Sequence, residues 1–481
     1  MATRRRLLQS IGAGSLLLAS RSRHPARALA TDDPALRPAH ELAGLIRRRE
    51  ISCEALLERY LQRIQRFNPA LNAVVWLDPD GARQRARAAD RALDRGEYRG
   101  PLHGLPMTVK DTFAVAGMPT TSGNPLYRQH RPGNNALAVQ RLLAAGAVIM
   151  GRSNVPIDAG DWQSFNGIYG TTNNPWDPSL TPGGSSGGAA VAVATGLTAL
   201  ELGSDFGGSI RIPAHFSGIY GHKPSYGVVP YRGHIPPPPG VAVMPEMAVA
   251  GPLARSALDL QLAMQALTTP AAGEDRDVAA RLSPAAPRPL RDYRVAVWLD
   301  DPHAPLDAAL RPPLRQTVAA LRGAGVTVDE DARPAVSLAE IHGVYGDLVR
   351  RVLRGHGPAD LDRRRDALRD TMAAFFANHD ILLMPVAPVA AFPHDHSLPM
   401  AQRRLSVNGV DTQYIPALTA WISLASAARL PATSAPVGFT DAGLPAGIQI
   451  VGPYLGDWAT LDFAAQLAGV VGGYTAPPDH R

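Results

Sequence analysis

The stretch from Thr181 to Pro213, TPGGSSGGAAVAVATGLTALELGSDFGGSIRIP, constrains this chain more than any other part of it. Two serine positions, Ser185/Ser186 and Ser209, sit among glycine pairs and are separated by an apolar run. Glycine lets the backbone adopt conformations closed to residues with a Cβ, and it lets another group come close. Loops built this way hold an anion or a reacting carbonyl, so the stretch reads as a catalytic site.

Several familiar loops fail against these residues. A Walker A loop needs Gly-Lys-Ser/Thr, whereas Gly188 is followed by Ala189. No G-x-G-x-x-G spacing runs through Gly183 to Gly188. A G-x-S-x-G elbow around Ser209 would need glycine where Arg211 stands, and S-x-x-K is absent because Met107 and Tyr220 precede the two lysines by three positions. Those lysines are informative. Of 48 Lys and Arg residues only Lys110 and Lys223 are lysine. A lysine kept against that bias suits a task guanidinium cannot perform, namely losing its proton when buried. Lys110 ends the apolar run Met107–Lys110 and is read as a base; Lys223 is read as a structural contact.

The rest of the chain alternates short apolar runs with helical patterns. Strands are expected at Met107–Lys110, Ala147–Met150, Leu197–Leu202, Val295–Leu299, Ile381–Pro385, Ala432–Val437 and Gly447–Val451. Helices are expected at Cys53–Phe67, capped by Ser52 and ended by Asn68-Pro69, and at Gly81–Gly96 and Ala136–Ala145. Others fall at Ser256–Leu267, Asp307–Arg322, Pro358–Asn378, Leu418–Leu430 and Trp458–Ala468. This alternation predicts an α/β layered fold around one large, mostly parallel sheet. Long surface loops are expected at His234–Gly240 and Thr268–Arg291. The lone Cys53 excludes an intrachain disulfide framework and reads as a buried thiol.

Residues 1–30 have the layout of a twin-arginine export signal: Arg4-Arg5-Arg6, an apolar core from Ile11 to Ala19, and Ala28-Leu29-Ala30 as a cleavage site. A single domain is expected over 31–481. The leader holds six arginines and no acid, so the net +6 of the whole chain becomes 42 basic against 42 acidic residues once it is removed. Charge therefore gives no support for nucleic-acid or membrane binding by the mature protein.

Five segments together resemble the amidase signature family of serine hydrolases. They are Gly104–Asp111 (GLPMTVKD), Gly170–Pro175 (GTTNNP), the central stretch, Gly218–Pro224 (GIYGHKP) and Gly443–Pro453 (GLPAGIQIVGP). The resemblance implies a three-layer α/β/α fold around a mixed, mostly parallel sheet. It also implies amide hydrolysis without metal or organic cofactor, acting on a small-molecule amide. Matched position by position, Ser209 falls on the nucleophile, Ser185 on a serine that follows a cis peptide bond, and Lys110 on the base. The backbone N–H groups of Phe206, Gly207, Gly208 and Ser209 fall on the oxyanion hole; Ser186, Asp205 and Arg211 fall on supporting positions. Phe206 stands where the family more often has a smaller residue, and Ser217 where cysteine is frequent.

Trp162, Phe165 and Tyr169 are candidates for a substrate pocket, against the commoner use of aromatics as core. The 14 histidines show no H-E-x-x-H spacing, and His394 and His396 are expected as hydrogen-bonded loop residues. Three rival readings remain: an esterase of Ser-His-Asp type, an exported binding protein without catalysis, and the amidotransferase component that acts on mischarged tRNA, its A subunit. The leader and the neutral mature charge count against the last.

Overall fold

The polar cap Ser52 starts the first long helix as expected, its side chain accepting the Ala55 N–H at 3.0 Å. Leu56, Leu57, Tyr60 and Ile64 recur at helical spacing and are buried, each worth about 1.5–3 kcal/mol of apolar burial. The helix runs Cys53–Leu71 and does not stop at Pro69. Proline removes only one bond in the last turn, and the Asn68 side chain accepts the N–H groups of Ala73 and Val74 just beyond it. Cys53 is buried, and the Pro79–Asp94 helix hides Ala82, Ala86, Ala89 and Ala92 along one narrow face. The computed structural model describes residues 33–234, 245–270, 282 and 288–480; the leader-like segment and most of the two long loops lie outside them.

Among the described residues, eleven strands make one mixed sheet. In chain order they are β1 (Val74–Leu77), β2 (Pro106–Lys110), β3 (Val148–Ser153), β4 (Glu201–Asp205), β5 (Tyr220–Lys223), β6 (Val249–Ala254), β7 (Arg294–Val297), β8 (Thr327–Asp329), β9 (Ile381–Pro385), β10 (Ala432–Phe439) and β11 (Pro445–Val451). Their order across the sheet is β1-β3-β2-β4-β6-β5-β10-β11-β9-β7-β8. Parallel pairing occupies two blocks, β3-β2-β4 and β9-β7-β8, joined by antiparallel pairs through the centre. The expected α/β fold with a large mixed sheet is therefore present.

Two local differences bear on the site. The strand expected over Leu197–Leu202 starts later, at Glu201, and so carries Ser204 and Asp205 at its carboxyl end. The apolar run after Ser186 forms a helix, Gly187–Ala194, in which every residue is buried. A second buried helix, Arg211–Ser217, opens two residues after Ser209. In the parallel block, Thr108 and Val109 lie level with Glu201 and Leu202, so Lys110 reaches the carboxyl end of β2 one residue before the level of Ser204 on β4, within hydrogen-bonding reach of it. Carboxyl ends of parallel strands are where open α/β sheets place their ligands.

Candidate active site

All five residues of β2 are buried, and Lys110 has no exposed surface. Its Nζ donates to Ser185 Oγ at 2.7 Å and to Ser204 Oγ at 2.9 Å. Burial brings the Lys110 pKa down to about 7, with the nearby carboxylates of Asp205 and Glu201 pulling the other way. Ser185 follows a cis Gly184–Ser185 peptide bond and is 1% exposed. Its loop is pinned by Ser164, whose hydroxyl donates to the Gly183 carbonyl at 3.1 Å and accepts the Gly187 N–H at 3.0 Å. Ser186 donates instead to the Ser204 carbonyl at 3.3 Å.

Ser209 lies in the turn between β4 and the Arg211–Ser217 helix and keeps 8% exposure. Asp205 organises that turn by accepting the N–H of Gly208 at 2.9 Å and of Ile210 at 3.1 Å. It also receives Arg211 Nε at 3.0 Å and Nη2 at 2.9 Å. Burial pushes the Asp205 pKa up, but Arg211, Lys223 and the Gly208 N–H outweigh it and hold it at about 2. Arg211 reaches onward to Ser426 Oγ, Gln449 Oε1 and the Ile422 carbonyl, so the whole pair is satisfied in the core. Gly208 has φ +90, a conformation that favours glycine and turns the backbone sharply before Ser209.

The four N–H groups expected to converge do not act alike. Gly208 N–H points into the turn toward Asp205, because that buried carboxylate needs donors. Among the described residues the N–H groups of Phe206, Gly207 and Ser209 have no acceptor. The Ser185 and Ser209 loops meet through the backbone, Ser186 N–H donating to the Ser209 carbonyl at 3.1 Å. Among the described residues no hydrogen bond joins the two hydroxyls.

Of the aromatic candidates, Trp162 reaches the Ser209 turn, its Nε1 donating to the Gly207 carbonyl at 2.7 Å. Phe165 stacks on His396 with ring centroids 3.7 Å apart. Tyr169 lies by Thr121, Asp111 and Arg152. Lys223 is a structural contact as expected, donating to the carbonyls of Pro224 and Leu430. Among the described residues no three His, Cys, Asp or Glu side chains converge on a metal position.

Four neighbours escaped the sequence reading. Ser204 joins Lys110 to His234, whose Nε2 is 2.8 Å from Ser204 Oγ. Glu201, hydrogen-bonded by Thr108 and Ser153, has its pKa pushed up to about 8 by burial. A carboxylate inside the apolar run Leu197–Leu202 was its visible signal. Tyr345 is almost buried, and its hydroxyl lies 2.6 Å from where a Cβ on Gly207 would stand. His234 and Tyr345 carry no local mark, since only the fold brings them to the turn.

A buried, readily deprotonated lysine on one serine, next to a second serine flanked by unpaired backbone donors, is the equipment of acyl transfer at a serine. The chain belongs to the Amidase family, whose model matches residues 55–345 and 358–461. The amidase-signature resemblance read from its motifs is borne out. A curated relative from Acidothermus cellulolyticus (strain ATCC 43068 / DSM 8971 / 11B), the A subunit of glutamyl-tRNA(Gln) amidotransferase, is 33% identical over 88% of this chain and 92% of its own. Seven further relatives at 30–33% identity carry the same name. A solved structure described as an amidase superposes with TM-score 0.73 at 31% identity, covering 91% of this chain and all of the other. A bacterial aryl acylamidase of the amidase signature family superposes with TM-score 0.74 at 25% identity, covering 90% of this chain and 96% of its own.

Proposed function

We propose that the chain hydrolyses a small-molecule carboxamide through an acyl-enzyme, with Ser209 as nucleophile, Ser185 as relay and Lys110 as base. The observation that carries this reading is the 2.7 Å contact between buried Lys110 Nζ and Ser185 Oγ, one loop away from Ser209. A serine hydroxyl is a weak nucleophile until a base removes its proton. Near pH 7 a useful fraction of Lys110 is the neutral amine. It takes the Ser185 proton while Ser185 takes that of Ser209, since a hydroxyl can donate and accept at once. Catalytic hydrogen bonds often tighten only with substrate in place, which accommodates the open Ser185–Ser209 step.

Ser209 Oγ bonds to the amide carbon, and the oxyanion faces the free N–H groups of Phe206, Gly207 and Ser209, each worth about 3 kcal/mol. The proton returns through Ser185 to the leaving nitrogen, which departs as ammonia or an amine. Water then cleaves the acyl ester by the reverse relay and releases the carboxylic acid. Every proton and charge in this scheme is handled by the chain's own groups, so it needs no cofactor and no metal. The proposal includes export directed by residues 1–30, which replacement of Arg5 and Arg6 by lysine tests through cell fractionation.

The curated relatives favour a second reading, in which the chain releases ammonia as the A subunit of a tRNA-dependent amidotransferase. The two share the attack on a carboxamide and differ in the fate of the nitrogen and in partners. The leader-like 1–30 and the balanced charge of 31–481 support the free hydrolase. A panel of aryl, alkyl and peptide amides and glutamine, with Ser209→Ala as blank, separates them. Turnover of amides by the chain alone supports hydrolysis; ammonia released from glutamine only with mischarged tRNA and partner proteins supports transfer.

A further inference from the structure

Among the described residues Lys110 Nζ makes two hydrogen bonds, and only one of them leads to Ser185. The other leads away from the nucleophile through Ser204 Oγ at 2.9 Å to His234 Nε2 at a further 2.8 Å. The imidazole is held between two rings, Phe113 edge-on at 4.7 Å and Tyr231 at 4.3 Å, and the Tyr231 hydroxyl is 3.3 Å from the same Nε2. Phe113 and His234 are also joined as a backbone bridge, so the ring is positioned from both main chain and side chain.

The direction of these bonds matters for a lysine base. A neutral amine has two N–H groups and one lone pair. If Ser204 donated its proton to Nζ it would occupy that lone pair, and Ser185 would face an N–H. A hydroxyl that has an acceptor on its far side donates there instead, and then accepts from the amine. His234 Nε2 is that acceptor in the Nδ1–H tautomer of the neutral imidazole, whose Nδ1 has no partner among the described residues, and burial together with the Lys110 charge holds the pKa well below the ordinary value.

We propose that Ser204 and His234 are positioning residues: Ser204 accepts a Lys110 N–H and donates to His234 Nε2, which turns the lysine lone pair toward Ser185. The arm rests on the Ser209–Ser185–Lys110 reading above and adds to it two residues that touch no substrate. No proton is transferred along it; it orients the base that takes the Ser185 proton.

The groups around Lys110 define what its pH limb will report. Glu201 and Asp205 face it from β4, His234 and Tyr231 from the loop beyond β5, and the Asp111–Arg152 pair lies behind it. Ser204 accepts more strongly from an ammonium than from a neutral amine. Losing its hydroxyl therefore moves the acid limb to lower pH even as the plateau falls. Simple loosening that admits water moves the limb up, toward the ordinary lysine value.

The test is the rate at which phenylmethanesulfonyl fluoride labels Ser209, read by peptide mass over pH 5 to 9 on the whole chain, with thermal melting as the check of folding. Ser204→Ala and His234→Phe are expected to label about tenfold more slowly, and the double variant no more slowly than either. Ser204→Thr restores the hydroxyl and His234→Gln an acceptor near Nε2, and both are expected within about threefold of the parent. Equal labelling in Ser204→Ala and the parent, an upward limb, or losses that multiply in the double variant would overturn the arm. A parent in which Ser209 is not labelled at all overturns the underlying triad instead. Should either removal variant fail to melt cooperatively, Ser204→Thr against Ser204→Cys decides by the same rates, because a thiol is the poorer acceptor and is expected to label more slowly.

Discussion

Lys110 Nζ and Ser185 Oγ meet at 2.7 Å across 75 positions of sequence, in a place where both side chains are shut away from water. The lysine therefore has a hydroxyl partner and little solvent to keep it charged.

Replacing Lys110, Ser185 or Ser209 by alanine is expected to lower kcat/KM for any amide substrate by about 10³ or more. Because the three act as a unit, Lys110→Ala combined with Ser185→Ala is expected to lose no more than the worse single change. Steady-state rates on purified variants check both statements. Independent, multiplying losses would sink the relay.

The pH dependence follows from the sign of the Lys110 shift. The base is active when neutral, and its pKa is lowered from the usual lysine value to about 7. Activity is thus expected to rise with pH through about 7 and to fall in acid as the ammonium forms. A kcat/KM profile flat between pH 5 and 8 in the parent contradicts the lysine base.

Asp205→Asn removes the charge facing buried Arg211 and weakens the hold on the Gly208 and Ile210 N–H groups. Leaving one member of a buried pair unmatched typically costs about 3–5 kcal/mol. Urea unfolding should show a loss of that order, with slower Ser209 chemistry in what remains folded. An unchanged midpoint means that this pair is not what holds the turn.

A methyl group on Gly207 would lie 2.6 Å from the Tyr345 hydroxyl, which a buried ring cannot readily withdraw. Gly207→Ala is expected to reduce activity by at least about tenfold by displacing the N–H groups beside Ser209. Adding Tyr345→Phe removes the colliding oxygen and should recover part of the loss. Crystal structures of the two variants, together with their rates, decide whether the contact or the backbone is at fault.

Much of this architecture can be read from local pattern. Short apolar runs and period-3.6 patterns mark most of the strands and helices that frame the site, and Ser52 marks its helix start, because those signals rest on neighbours within a few residues. The antiparallel joins through the sheet centre and the helix Leu338–Arg354 that carries Tyr345 were not legible. Strand order and the choice of helix face depend on contacts far apart in the chain.

The candidate site divides in the same way. By itself the sequence singled out the candidates for chemistry: glycine-wrapped Ser185 and Ser209 and a lysine retained at 110 in an arginine-rich chain, with Asp205 and Arg211 added as supporting positions by the family resemblance. Tertiary structure alone decided what each of them faces. The register of β2 against β4 sets Ser204 beside Lys110, and a loop beyond β5 brings His234 onto Ser204. Asp205 claims the Gly208 N–H, while among the described residues those of Phe206, Gly207 and Ser209 have no acceptor. Hydrogen bonds and desolvation act over a few ångströms of space, so they become defined only when the sheet has brought distant segments together.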